Sequence, residues 1–381
     1  MINFTVIDDQ LINRIIDEAY LLLEETGVEV QCDELIERME KAGLPVNKET
    51  NRITFPQAVT KQSIASSPEA IQLFDRSGNL FSTIGGNKTN FVPASSALNI
   101  LDWRTGERRT AQTADFVEYI KVVDQAKHIA YPSTAFSTDD IPQDIADAWR
   151  LYMVMAHSNK PVVSGAFTHH GVPRMARMME CFRESQSEMM EKPMAVFTCC
   201  PNSPLRWGID SSNNLIDCVE KGIIVEIVPV LMIGLAVPVT TVGALVMQTA
   251  EVLSGVVFTQ LIKPGSPVIF GGAPGAFHMQ LMSAPMTGVE ALQLYCGYAQ
   301  ICQHLKIPSQ AYMGLGDGKF NDPQAGSETA SGAYLAALSR INQVAGAGML
   351  DFVNCFSLEK LVFDDEIFGH VNHFMRDIEI K

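Results

Sequence analysis

The sequence has little positive charge and lacks the clustered basic residues that bind nucleic acids or anionic membranes. Its 381 residues include 28 Lys and Arg against 43 Asp and Glu, which gives a net charge of 28 − 43 = −15. Phosphate backbones and anionic lipids are recognised mainly through positive surface charge, so we expect neither nucleic acid nor a membrane as a partner. The first ten residues, MINFTVIDDQ, lack the charged and apolar regions of a secretory signal, which favours a cytoplasmic protein.

Several familiar catalytic and nucleotide-binding motifs are also missing. The eight cysteines form no repeated C-x-x-C pairs and do not indicate a disulfide framework in a chain of this length. There is no H-E-x-x-H, no Ser-His-Asp spacing and no paired acids typical of glycosidases. The loop GLGDGKF is not a nucleotide-phosphate loop of the G-x-x-x-x-G-K-[ST] type, because Lys319 is followed by Phe320.

The longest apolar run, at 223–247, contains Glu226 and three prolines, Pro229 among them. A charged residue and several prolines interrupt it, so a strand, a loop and the start of a helix fit better than a membrane span. No membrane helix is therefore expected.

Residues 1–88 are predicted to form an α+β N-terminal module. Apolar residues recur at helical spacing in 11–25 and 33–43, and a third helix is expected after Pro56, to residue 66. The stretch IQLFDRSGNLFSTIGG is typical of a hairpin with its turn at Ser-Gly-Asn.

From residue 89 to the end, apolar β-rich runs alternate with helical patterns. The eight runs are TNFVPAS (89–95), IAYPST (129–134), PVVSGAF (161–167), PMAVFTCC (193–200), IIVEIVPV (223–230), PVIFGGA (267–273), SQAYMG (309–314) and MLDFVNCF (349–356). Near-continuous apolar strands that alternate with helices indicate a parallel sheet covered on both faces. We predict an α/β fold in which 89–381 form a (β/α)8 TIM barrel with a hairpin insertion near 97–112. A doubly wound open sheet is the alternative, but no G-x-G-x-x-G follows an early strand.

Active residues of such barrels lie at the C-terminal ends of the strands and in the loops that follow. These positions hold the candidate site residues Phe136, Phe167, His169, Asn202, Arg206, Glu226, His278, Tyr312, Asp317, Lys319 and Phe356. Aromatic faces bind cations, and a quaternary ammonium group has no hydrogen-bond donor, so an aromatic cage suits it. A zinc site of Cys199 or Cys200 with His169 and Glu226 is an alternative, but small buried cysteines are more common.

Several segments resemble the trimethylamine methyltransferase superfamily. They include LLEETGVEV, SSALNILDWRTGERRTAQTADF, CCPNSPLRW, the run from GLAVPVTTVGALVMQTAEVLSG to KPGSPVIFGG, DGKFNDPQAGSE and FSLEKLVFDDEI. The resemblance spans nearly the whole chain and implies a (β/α)8 barrel. It also implies transfer of a methyl group from a methylated amine to the cobalt of a corrinoid (cobalamin) carried by a partner protein.

The trimethylamine enzymes of this superfamily carry pyrrolysine, whereas the loop after the seventh predicted strand here holds Asp317-Gly318-Lys319. The chain therefore resembles the branch without pyrrolysine, which implies a quaternary amine substrate such as glycine betaine. Relatives usually continue about a hundred residues beyond the position of Lys381, so either an extension is lost here or the chain is a natural short form. Loss of an extension would be expected to affect dimerisation, partner docking or activity. A homo-oligomer is also implied by the resemblance.

As a hypothesis about the mechanism, we assign roles to the candidates without singling out a catalytic residue. Ring faces for the trimethylammonium group are expected from Phe136, Phe167, Tyr312 and Phe356. His169, Asn202, Arg206 or His278 would hold a substrate carboxylate, while Glu226, Asp317 and Lys319 organise the floor of the site. The alternatives are a non-catalytic betaine-binding barrel and a zinc-dependent barrel methyltransferase.

Overall fold

A computed structural model describes residues 4–168 and 171–378 of the chain. Its helices are α1 (Asp9–Glu25), α2 (Asp33–Lys41), α3 (Gln57–Ser66), α4 (Thr113–Gln125), α5 (Ala146–His157), α6 (Gly171–Glu180), α7 (Gln186–Glu191), α8 (Ile209–Lys221), α9 (Thr241–Ile262), α10 (Val289–Leu305), α11 (Pro323–Leu338) and α12 (Leu358–Phe374). A short 3-10 turn, Gln143–Ile145, leads into α5. Most of these helices lie where the apolar spacing predicts them.

The strands are short. They are β1 (Val28–Val30), β2 (Val46–Asn47), β3 (Arg52–Ile53), β4 (Ala70–Phe74), β5 (Leu80–Gly85), β6 (Asn90–Pro93), β7 (Asn99–Leu101), β8 (Arg108–Arg109), β9 (Val162–Ser164), β10 (Ala195–Cys199), β11 (Arg206–Trp207), β12 (Ile224–Ile227), β13 (Met232–Ile233), β14 (Val268–Phe270), β15 (Gly275–Ala276), β16 (Gln310–Tyr312), β17 (Gln343–Ala347), β18 (Met349–Leu350) and β19 (Cys355–Ser357).

The parallel strands follow one another in a TIM-barrel-like order. Ladders join β9, β10, β12 and β14 in one row, and β16, β17 and β6 in another. Isolated parallel bridges connect the two rows, one of them directly from Phe270 to Ser309 and two through the segment 129–134. Eight parallel segments are therefore paired in cyclic order, which brings all their C-terminal ends to one side of the molecule.

The last of these segments lies earlier in the chain than its predicted position at 349–356. It is β17, whereas β18 and β19 form an antiparallel pair that extends the β7–β8 hairpin. The prediction was wrong because QVAGAG lacks the large β-branched and aromatic residues typical of strands. Small residues are required there, since a Cβ on Gly346 would lie 2.7 Å from the backbone carbon of Gly314.

The N-terminal segment packs directly on the side of the barrel. Helices α1 and α3 lie against α9, and β1 pairs in parallel with β11, which belongs to the loop after β10. Buried apolar side chains of this segment and of the barrel form one continuous core. The division into two units at residue 88 stays a prediction.

Helix α9 is apolar and long enough to cross a membrane, but most of its surface is buried within the protein. It is covered by α1, α3, α8 and α10 and by the strands β12 and β14. Packing between the N-terminal segment and the barrel therefore explains why this helix is apolar.

A buried ion pair joins the last two helices to the end of β17. The Lys360 ammonium lies 2.7 Å from the Asp364 carboxylate, and both side chains are 1% exposed. Lys360 Nζ also donates to Thr329 Oγ1 at 2.6 Å, and the Gly348 amide donates to Asp364 Oδ2 at 2.8 Å. This cluster holds α11, α12 and the turn after β17 together.

We expect Lys360→Met to lower the free energy of unfolding by about 3–5 kcal/mol, because it leaves the Asp364 carboxylate buried without its cation. The double variant Lys360→Met/Asp364→Leu should recover part of that loss, since it removes both charges. Thermal and urea unfolding of the two variants and the wild type measure the difference. A single variant as stable as the wild type would show that the pair does not stabilise this corner.

Candidate functional site

The carboxylate of Glu226 lies inside the barrel and is held by side chains from two other strands. Glu226 is on β12 and is 1% exposed. Thr198 Oγ1 on β10 donates to one carboxylate oxygen at 2.5 Å, and Gln343 Nε2 on β17 donates to the other at 2.5 Å. The Tyr131 hydroxyl donates to Gln343 Oε1 at 2.8 Å, which fixes the orientation of that amide. The acid is therefore fixed in position by side chains from two other parallel strands.

Burial raises the pKa of Glu226 to about 7, although hydrogen bonds from Thr198 and Gln343 oppose the shift. Near neutral pH the group is thus divided between its acid and its carboxylate form. Burial and the nearby Glu226 charge also raise the pKa of Tyr131 and of Tyr312, so both phenols stay protonated. The interior combines one titrating acid with neutral aromatic hydroxyls.

The site opens toward the C-terminal ends of the parallel segments. Ser95 follows β6, and Thr198 and Cys200 lie at the end of β10; all three keep some exposed surface among buried neighbours. Burial, together with the charges of Cys199 and Glu226, raises the pKa of the Cys200 thiol to about 12. Among the described residues no group of three His, Cys, Asp or Glu is placed to hold a metal ion.

The Asp-Gly-Lys loop follows β16, and the Asp317 side chain connects it to the loop that follows β14. Asp317 Oδ2 accepts hydrogen bonds from the Thr287 amide at 2.7 Å and from the Thr287 hydroxyl at 2.6 Å. Burial raises the pKa of Asp317, and its Oδ1 is buried without a partner in the part of the chain that the structure describes. Lys319, by contrast, is exposed. Its expected place in the floor of the site stays a prediction, and the chain reaches the surface directly after Gly318.

The four aromatic residues predicted as a cage lie in three different environments. Phe136 and Phe356 are buried and pack on each other, with ring centroids 5.2 Å apart, beside Phe116 and Tyr119. Phe356 is on β19, outside the ring of barrel segments. Phe167 is 61% exposed, and Tyr312 lies at the end of β16 near Glu226. Their shared role around one ammonium group stays a prediction, which this arrangement does not favour.

The residues predicted to hold a carboxylate are also dispersed. His278 is exposed near a loop tip, where its Nδ1 accepts from the Leu281 amide at 3.1 Å. Asn202 and Arg206 are exposed on the loop after β10, and Arg206 pairs through its backbone with Glu29 of the N-terminal segment. This pairing draws the loop to the side of the barrel, away from its opening. His169 lies outside the described residues.

Three residues that complete the Glu226 site were missed by sequence reasoning: Tyr131, Thr198 and Gln343. Gln343 lies outside the eight predicted strand runs, so no inward-facing position was considered for it. Thr198 and Glu226 are register partners on neighbouring strands, which strand alternation could have revealed once the barrel order was assumed.

A family model described as trimethylamine methyltransferase (MTTB) matches residues 1–381. Trimethylamine methyltransferase MttB of Methanosarcina barkeri is 28% identical over 373 residues, which cover 94% of this chain and 74% of that protein. The glycine betaine methyltransferase of Desulfitobacterium hafniense (strain Y51) is 27% identical over 375 residues, covering 98% of this chain and 78% of that protein.

Solved structures show a related fold at much lower identity. The Methanosarcina barkeri monomethylamine methyltransferase (MtmB) superposes with a TM-score of 0.66 at 10% identity and covers 98% of this chain and 75% of its own. The hydroxylamine complex of MtmB gives a TM-score of 0.68, also at 10% identity, with 99% of this chain and 77% of that chain covered. At this identity the likeness establishes the fold alone.

We expect Glu226 to make the protein less stable as the pH rises from about 4.5 to about 7. The folded state keeps the proton up to about pH 7, whereas the unfolded chain loses it near 4.5. Unfolding in that window releases a proton, so stability present below pH 4.5 is lost on the way to pH 7. Relative to wild type, the free energy of unfolding of Glu226→Gln should increase by up to about 3 kcal/mol across this pH window.

Urea unfolding of both proteins at pH 5, 6, 7 and 8 measures this gain, with the exposed Glu24→Gln as a matched control. A constant difference between wild type and Glu226→Gln at all four pH values would contradict the raised pKa.

Proposed function

Because the chain belongs to the trimethylamine methyltransferase (MTTB) family, we propose that it transfers a methyl group from a quaternary amine of the glycine betaine type to a corrinoid. The glycine betaine methyltransferase among its relatives supports the substrate class. The acceptor is the Co(I) of a cobalamin carried by a cognate corrinoid protein. A cytoplasmic homo-oligomer is part of the same proposal.

The observation that carries the substrate proposal is the buried Glu226 carboxylate beside aromatic hydroxyl side chains. A quaternary ammonium is permanently charged and cannot donate a hydrogen bond, so it is held by negative charge and by aromatic faces. Glu226 supplies the charge, and Tyr131 and Tyr312 lie close enough for their titration to respond to it. Binding the cation there offsets the cost of keeping the carboxylate ionised in the barrel.

The residues around Glu226 act in this reaction mainly by binding and orientation. The reduced corrinoid supplies the nucleophile that takes the methyl group. A quaternary amine leaves as a neutral tertiary amine, so no side chain has to protonate it. Thr198 and Gln343 hold the carboxylate in one place, which positions the ammonium for in-line attack. Burial of the site excludes water from the reacting methyl group.

The Asp317 loop fits a quaternary rather than a tertiary substrate. The resemblance places pyrrolysine of the trimethylamine enzymes in this loop, where it would serve to activate a tertiary amine. Here Asp317 is used to join two loops, and Lys319 is exposed. Neither residue is needed for a substrate whose leaving group departs uncharged.

The loops at the open end of the barrel carry exposed apolar side chains, which fits the approach of a corrinoid-bearing partner. Val239 lies after β13, Leu281 and Met282 after β15, and Phe320 after β16; they are 75%, 70%, 76% and 60% exposed. Exposed apolar side chains at this end of the barrel are suited to burial against the surface of another protein. The cobalt would thereby reach the site from the same side as the substrate.

Two other functions are separable from this one. A non-catalytic betaine-binding barrel would bind the ligand but transfer no methyl group. A zinc-dependent methyltransferase would use Cys199 or Cys200 with His169 and Glu226, and His169 of that set lies outside the described residues.

The direct test is methyl transfer from glycine betaine to Co(I)-cobalamin, followed by the absorbance change to methyl-Co(III). We expect turnover with betaines and none with trimethylamine. Turnover with trimethylamine alone would overturn the quaternary substrate, and tight betaine binding without turnover would favour the binding protein.

Glu226→Gln should weaken glycine betaine binding by about 10- to 100-fold at pH 8, because it removes the buried negative charge. Wild-type affinity should rise with pH through about 7, as the carboxylate ionises, and the variant should lose this dependence. Titration calorimetry between pH 6 and 8 measures both effects, with Glu24→Gln as control. An unchanged affinity in the variant would remove Glu226 from the site.

A further inference from the structure

Arg150 is a buried arginine with one guanidinium N–H that has no partner among the described residues. It lies in the second turn of α5, and its side chain is 2% exposed. Its Nη1 donates to the Thr134 carbonyl oxygen at 3.1 Å, and its Nε is buried without a partner among the described residues. Buried guanidinium groups are normally paired, because a buried charge without partners is costly.

The other buried arginine of comparable depth, Arg183, shows what a purely structural role looks like in this fold. Arg183 is 9% exposed and donates five hydrogen bonds to the carbonyl oxygens of Asp75, Arg76, Phe182 and Lys192. Its donors are used by the protein itself. Among the described residues, Arg150 donates one hydrogen bond, to the Thr134 carbonyl oxygen.

The nearest acidic side chain does not neutralise Arg150 by direct contact. Asp147 Oδ2 accepts from the Phe167 and Thr168 amides and from the Thr168 hydroxyl, at 3.2, 3.1 and 2.6 Å. Its charge acts on Arg150 only through space. Burial lowers the pKa of Arg150 to about 10, and the group is still a cation at neutral pH.

The guanidinium lies at the end of the barrel that opens to the candidate site. Thr134 ends the segment 129–134, and Phe167 follows β9. The guanidinium carbon is 5.3 Å from the centroid of the Phe167 ring. That ring is 61% exposed, so one neighbour of the cation lies at the protein surface.

We propose that Arg150 binds the carboxylate of a betaine substrate and so selects zwitterions over simple quaternary amines. This inference rests on the proposed function, with Glu226 as the site of the ammonium group. A planar guanidinium can donate two parallel hydrogen bonds to a carboxylate, which would satisfy the Nε donor. None of the residues predicted from the sequence to hold the carboxylate is a buried cation in the described structure.

The test compares two ligands that differ in the carboxylate: glycine betaine and tetramethylammonium. Arg150→Gln should weaken glycine betaine binding by about 10- to 100-fold, the effect of losing a charged hydrogen-bond donor. Tetramethylammonium binding should change by less than about twofold, because this ligand has no carboxylate for Arg150 to bind. Arg150→Lys keeps the charge without the planar fork and should give an intermediate result. The exposed Arg177→Gln serves as the control.

An equal loss of affinity for both ligands, or no loss for glycine betaine, would overturn the role of Arg150. If Arg150→Gln does not fold, as judged by its thermal transition, the same comparison is made with Arg150→Lys.

Betaines with one, two and three methylene groups between the charges give a second readout. The wild type should prefer one length, set by the spacing of Glu226 and Arg150, and the variant should lose this preference. Methyl transfer measured in parallel separates the two proposals. If the variant still transfers methyl groups and keeps the length preference of the wild type, Arg150 does not bind the carboxylate, while the proposed methyl transfer stands. If the wild type binds betaines selectively but transfers no methyl group, the proposed catalytic function is wrong, while the role of Arg150 stands.

Discussion

The need to stabilise one carboxylate inside a parallel barrel links the fold to the site. An acid in this interior is far from water, so its oxygens must find donors on other strands. Thr198 reaches Glu226 from the neighbouring strand, and Gln343 reaches it from β17, with Tyr131 holding the Gln343 amide. These donors meet only when the segments are paired in cyclic order. The geometry of the site therefore depends directly on the pairing of the parallel segments.

Close packing of the seventh and eighth segments is part of that constraint. Gly346 takes a φ of +141° and lies against the backbone of Gly314, and Gly332 of α11 leaves no room for a side chain beside the Met313 carbonyl. The register shift between Ala345 and Ala347 lies in the same stretch. Small residues here let β17 approach its neighbours closely enough for Gln343 to reach the barrel interior.

Two buried charges of opposite sign lie toward the same end of the barrel. Glu226 accepts two hydrogen bonds, while Arg150 has one N–H donor without a partner in the part of the chain that the structure describes. A zwitterion would complement both charges, whereas a simple amine would complement only one. This difference gives a physical basis for discrimination among methylated amines within one family.

The helices and most barrel strands could be predicted because each depends on local periodicity. The shared role of Phe136, Phe356 and Tyr312 stays a prediction, since assigning a residue to a strand end does not say whether its side chain points inward. Phe356 also moved out of the barrel once β17 was taken from 343–347. Gln343 and Arg150 carry no local signal, because an isolated polar residue in an Ala-rich run or an amphipathic helix has many ordinary explanations.

The sequence by itself determined the alternation of strands and helices, the acidic surface charge and the family resemblance, because these depend on composition and on neighbours along the chain. Tertiary structure alone decided which polar residues meet. Glu226 and Gln343 are 117 positions apart in the chain and yet hydrogen-bonded. Such contacts arise from strand order, register and the direction of each side chain, which no local pattern encodes.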